Sequence, residues 1–415
     1  MAQSDLEEFN KPVPYELRVD EELLSITKQK LQLARYPEEQ TDIGDDDWSQ
    51  GAKVKVVKRL ADYWKDGYDW RAEEDKINKE FHQFMVKIDI PSYGPQLIHY
   101  AHHRSPSPTA IPLLIVHGWP GSFLESRNLL LPLTHPSSPT DQAFHVIIPS
   151  LPGYGPGPPP LKSGFGPVTT ARAFKALMVD VLAYPTFLTH GGDWGALVTR
   201  SMAMQYPAHV RACHSNFIPC GPPAWYQNPL ALGRLVLNSW LYTEREKQGL
   251  KNMQYYLKEQ NGYLTQQRTR PQSLGFGLGD SPIGLLGWLV EKYHEWIDVA
   301  NYTMPDTEIL NFVMMHWIPG ATPGLRYYKA AFEETGPSSV KEAFSKYCAT
   351  PIGVSSFPRE VLMPPRDWMS AVCNVGWVRE HERGGHFPSV ECPEVLVGDL
   401  REWFGGEVVR KAMEG

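Results

Sequence analysis

From about residue 110 the chain alternates short, wholly apolar runs with amphipathic stretches, and this alternation restricts the fold more than any other feature. Pro112–Val116 (PLLIV) and His145–Ile148 (HVII) both end in Gly/Pro loops, and Ala171–Ala183 carries apolar residues at helical spacing. Thr186–Thr189 (TFLT) then runs through a GGDWG turn into a helix from Ala196 to Gln205. Strands that alternate with helices imply an α/β fold with a mostly parallel central sheet. Chemistry in such a sheet lies at the carboxyl ends of its strands.

The alternation stops near Phe217. Residues 218–336 read as helical, aromatic and loop-broken, with strand-free stretches such as Gly284–Val299, and form a lid inserted after the sixth strand. Sheet character returns at Pro351–Ser356 and Val375–Glu380, and Pro393–Phe404 closes as a helix, so the core comprises residues 106–217 and 337–415. Residues 1–105 form a helix-rich leader packing on that core. Its helices fall at Glu21–Ala34 and Ala52–Tyr63, a turn over Lys65–Glu80 enters another, and Gln96–His103 alternates like a strand.

Composition excludes several partners. A formal charge of −7 gives no electrostatic reason to expect nucleic acid or an anionic membrane. The acidic N-terminus is not a signal peptide, and no run of 18 apolar residues offers a membrane anchor. Five cysteines without CxxC spacing fit neither a disulfide framework nor a zinc site, so a reducing, soluble, cytoplasmic setting is expected. His99, His102 and His103 cluster in QLIHYAHH but have no adjoining carboxylate or Cys, which favours a solvent-exposed strand edge over a metal set. No metal is expected.

Three motifs carry chemistry. Gly191-Gly192-Asp193-Trp194-Gly195 follows a strand and opens a helix, the setting of a nucleophile elbow, with Asp at the centre. His117-Gly118-Trp119-Pro120-Gly121 ends another strand. The backbone N–H of Trp119 can there form an oxyanion hole with that of Trp194. Arg383-Gly384-Gly385-His386-Phe387 comes after the last strand, where this fold places its base. Glu360, just past a strand end in Phe357-Pro358-Arg359-Glu360, can orient the His386 imidazole, and Asp367 competes for that role.

The HGWPGS, GGDWG, FPxE and GGHF segments, in this order, resemble the microsomal-type epoxide hydrolases of the α/β-hydrolase fold, including their soluble fungal members. The leader, with its DWR…IN…F pattern at Asp69–Phe81, resembles that family's N-terminal meander, so the likeness spans nearly the whole chain. It implies Asp193 as nucleophile, His386 as base and Glu360 as acid. Two lid tyrosines are implied as proton donors at Tyr263 and Tyr328, with Tyr327 the neighbouring alternative to the second; Tyr327 and Phe357 are expected at the substrate pocket. The family's LPGYG loop usually continues Phe-Ser, whereas this chain reads Pro156-Gly157.

The implied activity is conversion of an apolar epoxide and water to a vicinal diol, in a detoxification role that includes cis-epoxides, with no cofactor. A carboxylate is already a nucleophile at neutral pH and can open a strained ring through a covalent ester. Soluble relatives admit a homodimer. A serine esterase is excluded by Asp at the elbow, and two rivals remain: a haloalkane dehalogenase, which also uses an elbow Asp, and a non-catalytic binding module on the same fold.

Overall fold

Buried apolar strands arrange everything else. The computed structural model describes residues 3–138, 140–222, 237, 240–343 and 345–414. Nine strands form one sheet among them: β1 (Val13–Pro14), β2 (Gln83–Ile90), β3 (Gly94–His103), β4 (Ile111–Val116), β5 (Phe144–Pro149), β6 (Phe187–Gly191), β7 (Val210–Ser215), β8 (Cys348–Ser356) and β9 (Cys373–Glu380). They lie in the order β1-β2-β3-β5-β4-β6-β7-β8-β9. Pairing is antiparallel from β1 through β3 to β5 and parallel from β5 to β9. Leu113, Leu114, Val146, Ile147, Ile148, Phe187 and Leu188 are fully buried, as a parallel sheet covered on both faces requires.

The leader is less helical than its sequence reads. Helices α1 (Glu21–Gln32), α2 (Val54–Asp66) and α3 (Trp70–Glu80) form, but β2 and β3 then make an antiparallel hairpin paired from Gln83↔Ala101 to Ile90↔Gly94. The segment QFMVKIDI turns alternate side chains inward, a period-2 signal that a helical reading overlooks. Since β3 lies between β2 and β5, the histidine cluster is not at an exposed edge. His99 is wholly buried and bonds Ser150 Oγ at 2.8 Å and Gln83 Oε1 at 3.0 Å. Val210–Ser215 (VRACHS), a parallel strand with three polar residues, also escapes the sequence reading.

Three helices serve the core ahead of the insertion: α4 (Arg127–Thr134), α5 (Pro167–Ala176) and α6 (Asp193–Gln205). Between β7 and β8 the described chain is helical: α7 (Glu244–Tyr255), α8 (Gly262–Thr269), α9 (Pro271–Asp280), α10 (Pro282–Glu295), α11 (Asp306–Trp317) and α12 (Thr322–Glu333). Discounting the two-residue β1, this insertion follows the sixth strand. Residues 223–236 of the expected lid lie outside the described residues. Short α13 (Val340–Ala343) precedes β8, α14 (Arg366–Val372) precedes β9, and α15 (Pro388–Glu391), α16 (Pro393–Phe404) and α17 (Glu407–Glu414) close the chain. Trp317 on α11 donates its indole N–H to Thr27 on α1 at 2.7 Å, fastening lid to leader.

Helix α6 approaches the end of β4 so closely that only glycine fits at the contact. A Cβ on Gly195 would collide with the Val116 carbonyl, and one on Gly191 would collide with the Gly195 backbone. Backbone cannot retreat as a side chain would, so Gly195→Ala is expected to cost at least the ~1–3 kcal/mol typical of overpacking. Gly398→Ala, at an α16 position with open space around it, is expected to gain up to about 1 kcal/mol. Calorimetric unfolding of both variants checks this contrast.

Candidate active site

Asp193 is the first residue of α6 and has φ +46°, a left-handed conformation that non-glycine residues rarely adopt. The turn points its carboxylate away from the strand end toward the lid-side aromatics. Oδ1 accepts from the backbone N–H of Trp119 at 2.7 Å. The N–H of Trp194 belongs to the first turn of α6, where backbone donors have no intrahelical acceptor. One of the two expected oxyanion donors, Trp119 N–H, thus already meets the carboxylate.

Oδ2 of Asp193 stands 3.5 Å from His386 Nε2. On the far side of the ring, Nδ1 meets Glu360 Oε1 at 2.6 Å. Glu360 also accepts from Val361 N at 2.8 Å and Asn216 Nδ2 at 2.9 Å, so both its oxygens are engaged. The competing Asp367 instead accepts from the Tyr242 hydroxyl at 3.3 Å and the Trp368 N–H at 3.0 Å. The loop carrying His386 is pinned by the end of the lid: His386 N donates to Trp296 O at 2.8 Å and Gly384 N to Asp298 Oδ2 at 3.0 Å.

Two tyrosines from separate lid helices close the other side. The Tyr263 ring stacks on Trp119 with centroids 5.0 Å apart, and Tyr328 meets Trp194 edge-on at 4.6 Å and Tyr263 at 5.9 Å. The Tyr263 hydroxyl pairs with that of Tyr256 at 2.8 Å. The Tyr328 hydroxyl is buried with no partner among the described residues. Tyr327 is committed elsewhere, donating to Thr170 Oγ1 at 3.0 Å, and lines a separate groove with Pro152, Arg270 and Arg326. Phe357, expected at the pocket, is instead wholly buried against His381, their rings 4.8 Å apart, and does not line the cavity beside Asp193. Its place one residue beyond β8 turns it down beside the sheet rather than up toward the lid.

Burial opposes a charge on His386, but Glu360 and Asp193 outweigh it and push the pKa up to about 10. Burial, reinforced by the Asp193 charge, raises Tyr263 and Tyr328 well above the usual tyrosine value and keeps both hydroxyls protonated. Glu125 and Asn216 escaped the sequence reading. The only signal for Glu125 was a lone carboxylate in an apolar run four residues after the HGWPG turn. Burial pushes Glu125 up to about 8. It borders a cavity of about 20 Å³ shared with His190, Asp193, Asn216 and His386. Glu125 Oε1 and His386 Nε2 are both buried and unpartnered among the described residues.

A strained turn at the end of a parallel strand, carrying a carboxylate between a backbone donor and an imidazole–carboxylate pair, defines a protein of the α/β-hydrolase fold. The comparisons with known proteins are narrower. A model of the epoxide hydrolase N terminus matches residues 12–126, and one of the alpha/beta hydrolase fold matches residues 111–269. Epoxide hydrolase 1 of Sus scrofa is 32% identical, the match covering 94% of this chain and 88% of that protein. The solved epoxide hydrolase of Aspergillus niger superposes with a TM-score of 0.79 at 30% identity over 94% of this chain and 95% of that one. The juvenile hormone epoxide hydrolase of Bombyx mori superposes with a TM-score of 0.85 at 25% identity, covering 98% and 97%. The chain belongs to the epoxide hydrolase family, and it is an epoxide hydrolase. No helix among the described residues is long and apolar enough to cross a membrane, and no group of three or more His, Cys, Asp or Glu side chains among them is placed to hold a metal.

The raised carboxyl of Glu125 has a consequence for stability. A group whose pKa is higher folded than unfolded binds more protons in the native state, so its contribution is lost as pH rises. For Glu125 the loss runs from the unfolded value, about 4.3, up to its folded value of about 8. Glu125→Gln is expected to flatten the fall in thermal midpoint over that range, which unfolding curves at unit pH intervals will show.

Proposed function

We propose that Asp193 attacks an epoxide carbon to form an ester, which His386 then hydrolyses with a water. The observation that carries this is the division of the Asp193 carboxylate: Oδ1 is held by Trp119 N–H while Oδ2 faces the cavity and His386. The free oxygen attacks from behind as the ring C–O bond breaks. Tyr263 and Tyr328 donate hydrogen bonds to the departing alkoxide, which is far more basic than a phenolate, and one of them gives it a proton. The trap is walled by Trp119, Trp194, Trp296 and the two tyrosines, which suits an apolar epoxide.

Formation of the ester also readies the base. Before it forms, His386 lies between two carboxylates and holds its proton. Esterification removes the Asp193 charge, so the pKa of His386 falls, the ring releases the proton it held at rest, and it can then take one from water. The cavity of about 20 Å³ between Glu125 and His386 has room for one water. Attack on Cγ places negative charge on Oδ1, where the N–H groups of Trp119 and Trp194 receive it. Losing one such donor typically costs about 2.7–4 kcal/mol. Glu360 keeps the imidazole oriented.

The division of labour agrees with residues 1–105 as a brace, residues 218–336 as a lid supplying the tyrosines, and the remainder as the catalytic core. In a single turnover in ¹⁸O-labelled water, the first diol is expected to be unlabelled, because its new oxygen comes from Asp193. Labelled diol at that stage, seen by mass spectrometry, would replace the ester with direct attack by water. Tyr263→Phe and Tyr328→Phe are each expected to slow ester formation by about 10²–10⁴-fold, the usual value of a positioned acid. Tyr327→Phe is expected to stay within a few-fold of wild type, because its hydroxyl serves Thr170. Rapid-quench kinetics of the three variants test that ordering.

A further inference from the structure

A buried line of hydrogen-bonding groups leads away from the water cavity. His190 lines that cavity, and its Nδ1 lies 3.0 Å from Nδ1 of His214, its cross-strand partner on β7. His214 Nε2 reaches Ser355 Oγ on β8 at 3.0 Å, and Ser355 donates to Asp399 Oδ2 on α16. The same Asp399 oxygen meets His381 Nε2 at 2.6 Å, and the His381 side chain is 13% exposed. His214, Ser355 and Asp399 are themselves no more than 1% exposed.

The carboxylate at the far end fixes the direction of every bond. Ionised Asp399 only accepts, so Ser355 donates to it and must accept from His214 Nε2–H. Neutral His214 then has no proton on Nδ1 and accepts from His190 Nδ1–H. That leaves the second nitrogen of His190, in the ring that lines the cavity, as an unprotonated acceptor. Burial holds His190 down to about 4 and His214 well below the usual value, so both rings are neutral as this pattern needs. A fully buried row of polar groups is costly unless it is completely paired, and this one is paired in a single sense, from the site toward the surface.

We propose that His190, His214, Ser355 and Asp399 form a proton conduit that drains the hydrolytic site beneath the sheet to His381 at the surface. The proposal rests on the ester mechanism above. In that mechanism ring opening moves one proton from the tyrosine pair to the alkoxide. Once the ester has removed the Asp193 charge, His386 gives up the proton it held at rest, and water then gives one proton to the neutral ring while its oxygen bonds to Asp193 Cγ. Cleavage of the Cγ–Oδ2 bond releases the diol oxygen, which takes the His386 proton. Asp193 is left as a carboxylic acid whose proton, the second water hydrogen, returns to His386 and restores its resting charge; the tyrosines are one proton short, and the surplus is the proton that His386 gave up earlier. The conduit removes the surplus. A proton binds the free nitrogen of His190, the Nδ1 proton of His190 passes to His214, that of His214 Nε2 to Ser355, and that of Ser355 to Asp399. Asp399 passes it to the partly exposed His381 ring, which yields a proton to solvent, and the tyrosines regain theirs from solvent on the lid side. Tautomer exchange and rotation of the hydroxyl reset the line. No group carries a full charge if the hops are concerted.

Stopped-flow fluorescence of Trp119 and Trp194, which flank Asp193, separates ester formation from ester breakdown and recovery. Ser355→Ala, which cuts the line without touching the cavity, is expected to form ester within twofold of wild type and to recover at least tenfold more slowly. Ser355→Thr, which restores a hydroxyl, is expected to return within threefold. Recovery of Ser355→Ala at the wild-type rate overturns the conduit, as does a parallel loss in both phases that Ser355→Thr fails to rescue. Should Ser355→Ala not fold, Asp399→Asn cuts the next link and is read in the same way. If wild type itself shows no ester phase, the Asp193 reading fails and the conduit with it. Two wild-type phases with an unaltered variant remove the conduit alone.

Discussion

The structure depends on one crowded junction, where the end of β6 turns into α6 against the end of β4. Asp193 occupies a left-handed backbone conformation there, and no side chain fits at Gly195 because the Val116 carbonyl lies against it. Strain of this kind costs on the order of 1–3 kcal/mol and persists only where the surroundings over-determine it. Here the buried strands on either side do so. The strain lifts the carboxylate clear of the sheet and brings it within reach of a donor from the neighbouring loop. The lid, the imidazole and the leader are all arranged around a group whose position is already set.

Electrostatics at the junction follow from a simple count. One imidazole faces two carboxylates, with a third, Glu125, close behind in a buried region. Such a group cannot hold three negative charges, so protons settle on His386 and Glu125 before any substrate arrives. In the proposed mechanism a covalent bond to Asp193 removes one charge and releases the imidazole to act, so that the nucleophile switches its own base.

Much of this was legible in the sequence, because the strongest signals are those that backbone geometry imposes. The glycines around Asp193 and the apolar runs before each loop can be explained only by tight turns at strand ends, and Glu360 and His386 follow in the chain order the fold dictates. What escaped was set by tertiary neighbours. Strand β2 hid beside three helices because its alternation of burial is broken at Met85-Val86, which are both buried. Glu125 carries no local pattern, and its role comes from burial beside groups far away in sequence. Phe357 was misplaced because a residue next to a motif need not share the motif's direction.

The bond between His386 N and Trp296 O, together with the indole of Trp317 on Thr27, ties the insertion down at two distant points. An insertion riveted this way cannot swing as a door without dislodging the imidazole. Traffic to and from Asp193 therefore calls on movements of individual side chains rather than of the insertion as a whole.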